Sequence, residues 1–177
     1  MNMSNLLRMV YVSTSTNPIN TVDGNVHKDI GRILMQSRKH NPKNHIGGVL
    51  YFSNNFFFQC LEGEQDAVNN LYQKISTDPR HKNVQTISVK RISKRQFGNW
   101  SMKYVALKDN VTRLLDKMKM SEFNPYKFDD DMIDEMLSLF TTEVDNTSPP
   151  DQNYDSKTHK KQRQGFFSRL FNRSKAA

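Results

Sequence analysis

Two hydrophobic periodicities alternate along the first 107 residues and restrict the folds that this chain can adopt. Short runs of β-branched and aromatic residues predict five strands, whereas apolar residues three and four positions apart predict two amphipathic helices. The predicted strands span 6–13, 46–52, 56–61, 84–92 and 100–107, and the predicted helices span 26–40 and 64–76. Strands and helices mixed in this way indicate the α+β class.

The order of the predicted elements defines the expected architecture further. Strand, helix, strand, strand, helix, strand, strand is the order of a ferredoxin-like α+β sandwich (β-α-β-β-α-β-β), whose two helices lie on one face of a mixed sheet. Only Ser53, Asn54 and Asn55 separate the second strand from the third, so we expect an antiparallel hairpin there. Apolar spacing at 111–118 and 129–140 predicts two additional C-terminal helices, which can cover the other face.

Charge separates the C-terminal tail from the rest of the chain. The formal net charge is +8, but residues 156–177 hold seven cations and no acid, so the preceding residues are nearly neutral. A polar stretch with two adjacent prolines precedes this tail and predicts a flexible linker. We therefore expect a folded domain at 1–106, a helical cap at 107–143, and a linker with a basic, disordered or amphipathic tail at 144–177.

The basic tail carries an apolar pattern of its own. Phe166, Phe167, Leu170 and Phe171 are spaced so that a short helix would place them on one side, with cations around them. Four interpretations stay open: docking on an anionic membrane surface, binding in the groove of a partner, docking on the chain's own domain, and a disordered solubilising tail.

Several classes of protein are disfavoured by what the sequence lacks. There is no apolar run near the roughly 18 residues of a membrane-spanning helix, and the first eight residues carry no secretory signal, so we expect a cytoplasmic protein. The single cysteine, Cys60, cannot form an internal disulfide, and the five histidines show no metal-binding spacing. Phosphate-binding glycine loops and serine nucleophile motifs are absent, and a nearly neutral body does not suit a nucleic-acid surface. We expect no metal, no enzymatic turnover and no specific nucleic-acid partner.

Six short segments carry the most specific signal. They are Leu-Arg-Met-Val-Tyr-Val-Ser at 7–13, Ser-Arg-Lys-His-Asn at 37–41, Ile-Gly-Gly-Val-Leu-Tyr at 46–51, Phe-Gln-Cys-Leu-Glu-Gly at 58–63, Asp-Pro-Arg-His at 78–81 and Phe-Gly-Asn-Trp-Ser-Met at 97–102. In this order and spacing they closely resemble the BLUF family of blue-light photoreceptors, over about residues 5 to 105. The extra pair of helices is similar to that of short BLUF proteins, which lack an attached output enzyme.

The resemblance implies a non-covalently bound flavin, usually FAD, with FMN or riboflavin as alternatives, held between the two long helices. It implies that Tyr11 donates an electron and a proton to the excited flavin, and that Gln59 lies between Tyr11 and the ring. An amide suits that position because its donor and acceptor ends can exchange by rotation or tautomerisation. Light would leave Gln59 with a new hydrogen-bond arrangement, a stronger bond to the flavin C4 carbonyl, and a red-shifted absorption.

By position, the resemblance assigns further residues to the flavin and to the signal. The complete set of predicted cofactor-binding residues is Tyr11, Ile33, Ser37, His40, Asn41, Gln59, Lys74, Asp78, Arg80 and His81. Trp100 and Met102 on the fifth strand would pass the signal outward, and the resemblance leaves open which of them points toward Gln59. Taken alone, His81 is equally well a structural histidine, Lys74 a solvated helix residue, and Trp100 a core residue.

Two functions from different classes follow from these patterns. The first is a flavin-binding photoreceptor without turnover, which signals through its fifth strand and C-terminal helices to a separate protein partner or through its own oligomer. In a chain of 177 residues we expect no room for an output enzyme after such a sensor. The alternative is a flavin-free ferredoxin-like binding module whose basic tail targets nucleic acid or membrane. Only the first would purify with the yellow colour of a flavin.

Overall fold

Five strands and four α-helices make up the part of the chain that the structure describes. The computed structural model describes residues 5–17, 25–106 and 108–145. The strands are β1 (Leu6–Ser15), β2 (Gly47–Ser53), β3 (Phe56–Glu64), β4 (His81–Arg91) and β5 (Lys103–Tyr104). The helices are α1 (Asn25–His40), α2 (Gln65–Ser76), α3 (Lys108–Lys117) and α4 (Asp130–Asp145), with short 3₁₀ helices at Pro42–Asn44 and Pro125–Lys127.

The strands form one mixed sheet in the order β4-β1-β3-β2-β5. All neighbouring pairs are antiparallel except β2 and β5, which run parallel. Asn54 and Asn55 both have positive φ, which is the backbone of a tight two-residue hairpin between β2 and β3. The ferredoxin-like α+β architecture and the predicted hairpin are therefore confirmed.

Both faces of the sheet are covered by helices, so the molecule has two hydrophobic cores. One core packs between the sheet and the pair α1 and α2, and its strand residues include Leu7, Met9, Tyr11, Leu50, Phe57 and Leu61. The other packs under α3 and α4 and includes Val10, Val12, Phe58, Cys60, Ile133, Met136 and Phe140. Successive residues of β1 and β3 point to opposite faces, which explains why these two strands are apolar almost throughout.

Most predicted boundaries lie within a few residues of the observed ones. Strand β3 continues to Glu64, β4 begins at His81 instead of 84, and α4 continues to Asp145. The predicted start of α4 is off by one residue because the side chain of Asp129 accepts a hydrogen bond of 2.9 Å from the backbone N–H of Met132, as an N-cap does. The predicted linker and tail span 144–177: residues 144 and 145 belong to α4, and the rest lies outside the residues that the structure describes.

The fifth strand is much shorter than the predicted 100–107. Upstream of Lys103 the pairing with β2 becomes irregular. The carbonyl of Trp100 still accepts a hydrogen bond of 3.1 Å from the N–H of Gly48 on β2, but the N–H of Trp100 donates to the carbonyl of Phe97 at 3.0 Å, and the carbonyl of Ser101 accepts from the side chain of Asn41 at 2.6 Å. Trp100 and Met102 therefore lie in the 97–102 segment before β5 and not within the strand. In the described part of the chain, no helix combines the length and apolar character needed to cross a bilayer.

Candidate functional site

A cavity of about 670 Å³ opens between α1, α2 and the sheet. All ten predicted cofactor-binding residues lie on its wall: Tyr11, Ile33, Ser37, His40, Asn41, Gln59, Lys74, Asp78, Arg80 and His81. Part of this convergence is local, since Ile33, Ser37 and Asn41 follow one another at intervals of four and share one side of α1 and its exit. The rest depends on the sheet and on α2. That these residues contact a ligand stays a prediction.

A phenol meets an amide at the sheet side of the cavity. Tyr11 on β1 and Gln59 on β3 are directly opposite in the antiparallel ladder, and the Tyr11 hydroxyl donates a hydrogen bond to Oε1 of Gln59. Both side chains are buried. Burial, together with the nearby carboxylate of Asp78, raises the pKa of Tyr11 well above its ordinary value of 10. The phenol therefore keeps its proton at any physiological pH.

The other end of the Gln59 amide faces Met102. Nε2 of Gln59 lies 3.5 Å from Sδ of Met102, a weak acceptor. Trp100 lies in the opposite core, beneath α3 and α4, where Nζ of Lys103 is 4.2 Å from the centre of its ring. Of the two residues that the sequence left undecided, Met102 is the one beside Gln59.

The end of α1 holds the backbone around Met102. Asn41 is only 1% exposed and donates to the carbonyl of Ser101. Arg38, one helical turn earlier, donates from Nε to the carbonyl of Met102 at 3.3 Å. Partial burial lowers the pKa of Arg38. The 97–102 segment is thus tied to the same helix that forms one wall of the cavity.

Charged groups gather where α2 leads into β4. The Arg80 guanidinium makes two hydrogen bonds to the carboxylate of Asp78, of 2.9 and 2.5 Å, and also donates to Oε1 of Gln36 on α1 at 2.6 Å. This pairing lowers the pKa of Asp78 and raises that of Arg80. Lys74 is exposed on the rim. This end of the cavity therefore presents a guanidinium paired with a carboxylate, and an ammonium group.

His81 combines a structural contact with a place on the cavity wall. Its Nδ1 lies 2.8 Å from Oγ of Ser13, and its ring centre is 4.6 Å from that of Phe57. Burial lowers the pKa of His81 to about 4, an effect that Arg80 strengthens and Asp78 opposes. The imidazole is therefore neutral at neutral pH, where it accepts a hydrogen bond from Ser13 or donates one to it.

The site and its fold agree with a family match over the same residues. Residues 6–103 match the family model described as BLUF, sensors of blue-light using FAD. This match covers more than half of the 177 residues. The chain belongs to the BLUF family.

Three known BLUF-containing proteins illustrate the extent of the similarity. A photoactivated adenylate cyclase subunit beta from Euglena longa is 34% identical over 100 residues, which are 56% of this chain and 11% of that protein. BlsA in its photo-activated state is 34% identical with a TM-score of 0.68, over 82% of this chain and 99% of BlsA. The BLUF protein BlrB in its dark state is 26% identical with a TM-score of 0.63, over 80% of this chain and 98% of BlrB. The matched part of the chain spans about a tenth of the length of the photoactivated adenylate cyclase subunits from Euglena longa and Euglena gracilis.

The residues around the cavity fit the flavin that the BLUF family binds. Apolar side chains from both helices suit the faces of an aromatic ring, and the amides of Asn41 and Gln59 suit its edge of carbonyls and N–H. Arg80 and Lys74 suit phosphate groups. FAD and FMN share the ring and a phosphate, so these groups do not distinguish them. Among the described residues, no group of three or more His, Cys, Asp or Glu side chains is arranged to hold a metal ion.

Sequence reasoning missed nine residues that line the cavity of this BLUF domain. They are Gln36, Asn44, Ile46, Ala67, Asn70, Leu71, Gln73, Ile75 and Thr77. Five of them lie on α2, and Asn70 stands one helical turn before the predicted Lys74, so the spacing of α2 could have revealed them. Nothing in the sequence indicates the contact of Gln36 with Arg80, since the two residues lie 44 positions apart.

Proposed function

We propose that this chain is a blue-light photoreceptor that holds FAD non-covalently and signals by rearranging the hydrogen bonds around Tyr11 and Gln59. One observation carries the proposal: in a chain of the BLUF family, a buried phenol is hydrogen-bonded to a buried amide on the wall of a cavity. FMN and riboflavin share the ring and are the alternatives for the cofactor.

Tyr11 is the proposed electron and proton donor. When bound, the flavin supplies the absorption of blue light and an excited state that takes up an electron and a proton. Tyr11 is suited to provide both because its phenol lies on the cavity wall and keeps its proton. Its hydrogen bond to Oε1 of Gln59 gives that proton a direct acceptor. Electron and proton then return to Tyr11 by recombination, which leaves Gln59 in a new arrangement and the protein without net oxidation.

Gln59 is the proposed residue in which the change is stored. While the Tyr11 hydroxyl donates to it, Oε1 is held toward the phenol and Nε2 toward Met102. Once Tyr11 stops donating, this orientation loses its strongest bond, and rotation or tautomerisation of the amide exchanges the donor and acceptor ends. The contact of Nε2 with the thioether of Met102 does little to prevent this exchange, since sulfur is a weak acceptor.

The remaining wall residues are proposed to hold the cofactor. Asn41 would bond the polar edge of the ring, with His40 beside it and with Ile33 and Ser37 against its face. The residues proposed for the ring edge or for the ribityl and phosphate chain are Lys74, Asp78, Arg80 and His81. Lys74 would contribute as a point charge, because an ammonium group lacks the bidentate fork of a guanidinium.

The proposed output is a contact with another protein, in the cytoplasm. Trp100 packs against the core beneath α3 and α4, and these helices cover the face of the sheet opposite the cavity. We propose that either a separate partner or a second copy of this chain reads a change there. The proposal assigns no enzymatic turnover to the chain, and the basic tail is its proposed contact with an anionic surface.

The decisive experiment is the visible absorption spectrum of the purified protein in the dark and directly after blue illumination. We expect a flavin spectrum that shifts reversibly to the red. A flavin spectrum without a shift would refute the proposed photoreaction, and absence of flavin even after reconstitution with FAD would refute the binding site. Identifying the extracted flavin separates FAD from FMN and riboflavin.

A further inference from the structure

A carboxylate is completely buried on the face of β3 that lies away from the flavin cavity. It belongs to Glu62, whose Oε1 accepts a hydrogen bond of 2.7 Å from Nε of Arg8 and whose Oε2 accepts one of 2.8 Å from the backbone N–H of Phe97. A buried charge is strongly unfavourable unless it is paired and hydrogen-bonded. Both oxygens of Glu62 are occupied in this way, so Arg8 and Phe97 are fixed relative to β3.

Arg8 and Glu62 together hold the beginning of the 97–102 segment. Nη2 of Arg8 donates to Oε1 of Gln96 at 2.5 Å, while Glu62 holds the next residue, Phe97. The other end of the segment is Met102, which contacts Gln59. One short segment thus connects the amide of the proposed photochemical switch with a buried ion pair on the opposite face of the sheet.

Arg8 also borders a second cavity, of about 440 Å³, which lies between the sheet and α4. Its wall consists of Arg8, Lys90, Gln96, Asp134, Leu137, Ser138, Thr141 and Thr142. Lys90 bridges this space with an ion pair of 2.9 Å to Asp134. Arg8 and Gln96 share this wall with residues of α4, so a shift of either side chain changes the surroundings of that helix.

We propose that the Arg8–Glu62 ion pair couples the 97–102 segment to α4, so that a displacement at Met102 reaches α4 as a shift of Gln96 and Arg8. This rests on the proposed function, because it needs Gln59 to change in the light. Glu62 is a positioning residue, since it does not line the flavin cavity. Contiguous contacts alone do not establish coupling, so the test measures the response of α4 itself.

The test is hydrogen exchange of the flavin-loaded full chain, in the dark and under blue light. In the wild type we expect exchange of the α4 amides near Leu137 to differ between the two conditions. Glu62→Gln keeps the volume and an acceptor for Phe97, but its uncharged amide turns an N–H₂ group or a weaker acceptor toward Arg8. We expect this variant to lose the light-dark difference at α4 and to keep the full flavin red shift, since Tyr11 and Gln59 are unchanged.

Two further variants make the outcome specific. Lys90→Gln removes the ion pair across the same cavity without touching the 97–102 segment, and it should keep the light-dark difference. Arg8→Lys replaces Glu62→Gln as the test if that variant does not fold. A lysine leaves a cation beside Glu62 but lacks the guanidinium fork that also holds Gln96. We expect it to lose the light-dark difference at α4 as well.

The two proposals fail in different ways. A wild-type protein without a red shift refutes the photoreceptor itself. A normal red shift without any change at α4, or a full light-dark difference in Glu62→Gln or Arg8→Lys, overturns the coupling alone. A loss of the difference in Lys90→Gln as well would overturn it too, since the effect would then belong to the cavity in general.

Discussion

Tyr11 and Tyr72 form a natural comparison at the scale of single residues. Their rings lie 5.6 Å apart in an edge-on contact, but it is the hydroxyl of Tyr11 that is bonded to Gln59. In Tyr11→Phe we expect flavin to bind and the light-induced red shift to disappear, because the phenolic donor is lost while the ring is kept. Tyr72→Phe, the matched control, should keep the shift. A light-minus-dark spectrum decides, and a normal shift in Tyr11→Phe would contradict the assigned role.

The same substitution has a predictable effect on stability. Without the Tyr11 hydroxyl, Oε1 of Gln59 is left buried without its donor. Leaving a buried polar group unsatisfied costs about 1–3 kcal/mol, so the free energy of unfolding should fall by that amount in Tyr11→Phe. Denaturant unfolding measures it, and an unchanged midpoint would mean that Gln59 finds another donor.

The lowered pKa of His81 predicts how the stability of the protein depends on pH. This pKa is lowered to about 4 in the folded protein, against an ordinary value of 6.5, so the unfolded chain binds more protons between these two values. The free energy of unfolding therefore has its full value above pH 6.5, where His81 is neutral in both states. It decreases as the pH falls toward 4, because the unfolded chain takes up the proton more readily. Lowering a pKa by one is equivalent to about 1.4 kcal/mol, so the loss of stability amounts to about 3 kcal/mol.

The measurement is the free energy of unfolding at several pH values between 4 and 7, on protein freed of flavin so that ligand binding adds nothing. His81→Asn, which removes the titrating group, should show a flatter dependence in this range. Asp78, whose pKa is lowered by its hydrogen bonds to Arg80, loses its own contribution mainly below its ordinary value of 3.8, and it is present in both proteins. If both proteins lose stability equally between pH 6.5 and 4, His81 is not the responsible group.

At this scale, the sequence predicts positions on the cavity wall better than it predicts their bonds. Ile33, Ser37 and Asn41 follow from helical spacing, and the family segments supply the others. The bond from Asn41 to the carbonyl of Ser101 crosses 60 positions. Such contacts depend on how helices settle on the sheet, which local patterns do not encode.

Two glycines test the packing of individual elements. A Cβ at Gly47 on β2 would overlap the backbone carbonyl of Phe97, whereas one at Gly31 on α1 would meet no atom within 4 Å. Gly47→Ala must push the 97–102 segment away from the sheet, so we expect a loss of about 1–3 kcal/mol of stability. Gly31→Ala should instead add about 0.5–1 kcal/mol, since alanine favours a helix interior. Thermal unfolding compares them, and equal effects would contradict the close approach at Gly47.

Elements were predictable where a single periodicity governs them. Strands β1 and β3 and helices α1 and α2 follow from their apolar patterns. Pro42 and Pro79 come shortly after the ends of these two helices. The length of the fifth strand was not predictable in this way. The stretch 100–107 is apolar partly because Trp100 and Met102, which lie before the strand, enter two different cores. An apolar run shows that residues are buried, and it does not show over how many of them the backbone forms a regular strand.

At the scale of the whole molecule, the sheet separates two different environments. The face under α1 and α2 holds the cavity with its amides and cations, and the face under α3 and α4 is a dense aromatic core. The 97–102 segment is connected to both, through Met102 on one side and Trp100 on the other. In the proposed photoreceptor, this segment therefore offers a change at Gln59 a route to the far side of the molecule.

The whole chain divides by charge into a nearly neutral body and a basic tail. Removing residues 156–177 takes away seven cations and no acid. Because these residues supply most of the net charge, we expect the shortened chain to bind anionic vesicles much more weakly, and the full chain to lose that binding at high salt. A full-length variant with the seven cations changed to glutamine is the control that separates charge from length. Flavin spectrum and dark recovery should be unchanged in both, since the cavity and its wall lie within residues 11–81. An altered recovery rate in the shortened chain would show instead that the tail docks on the photoreceptor domain.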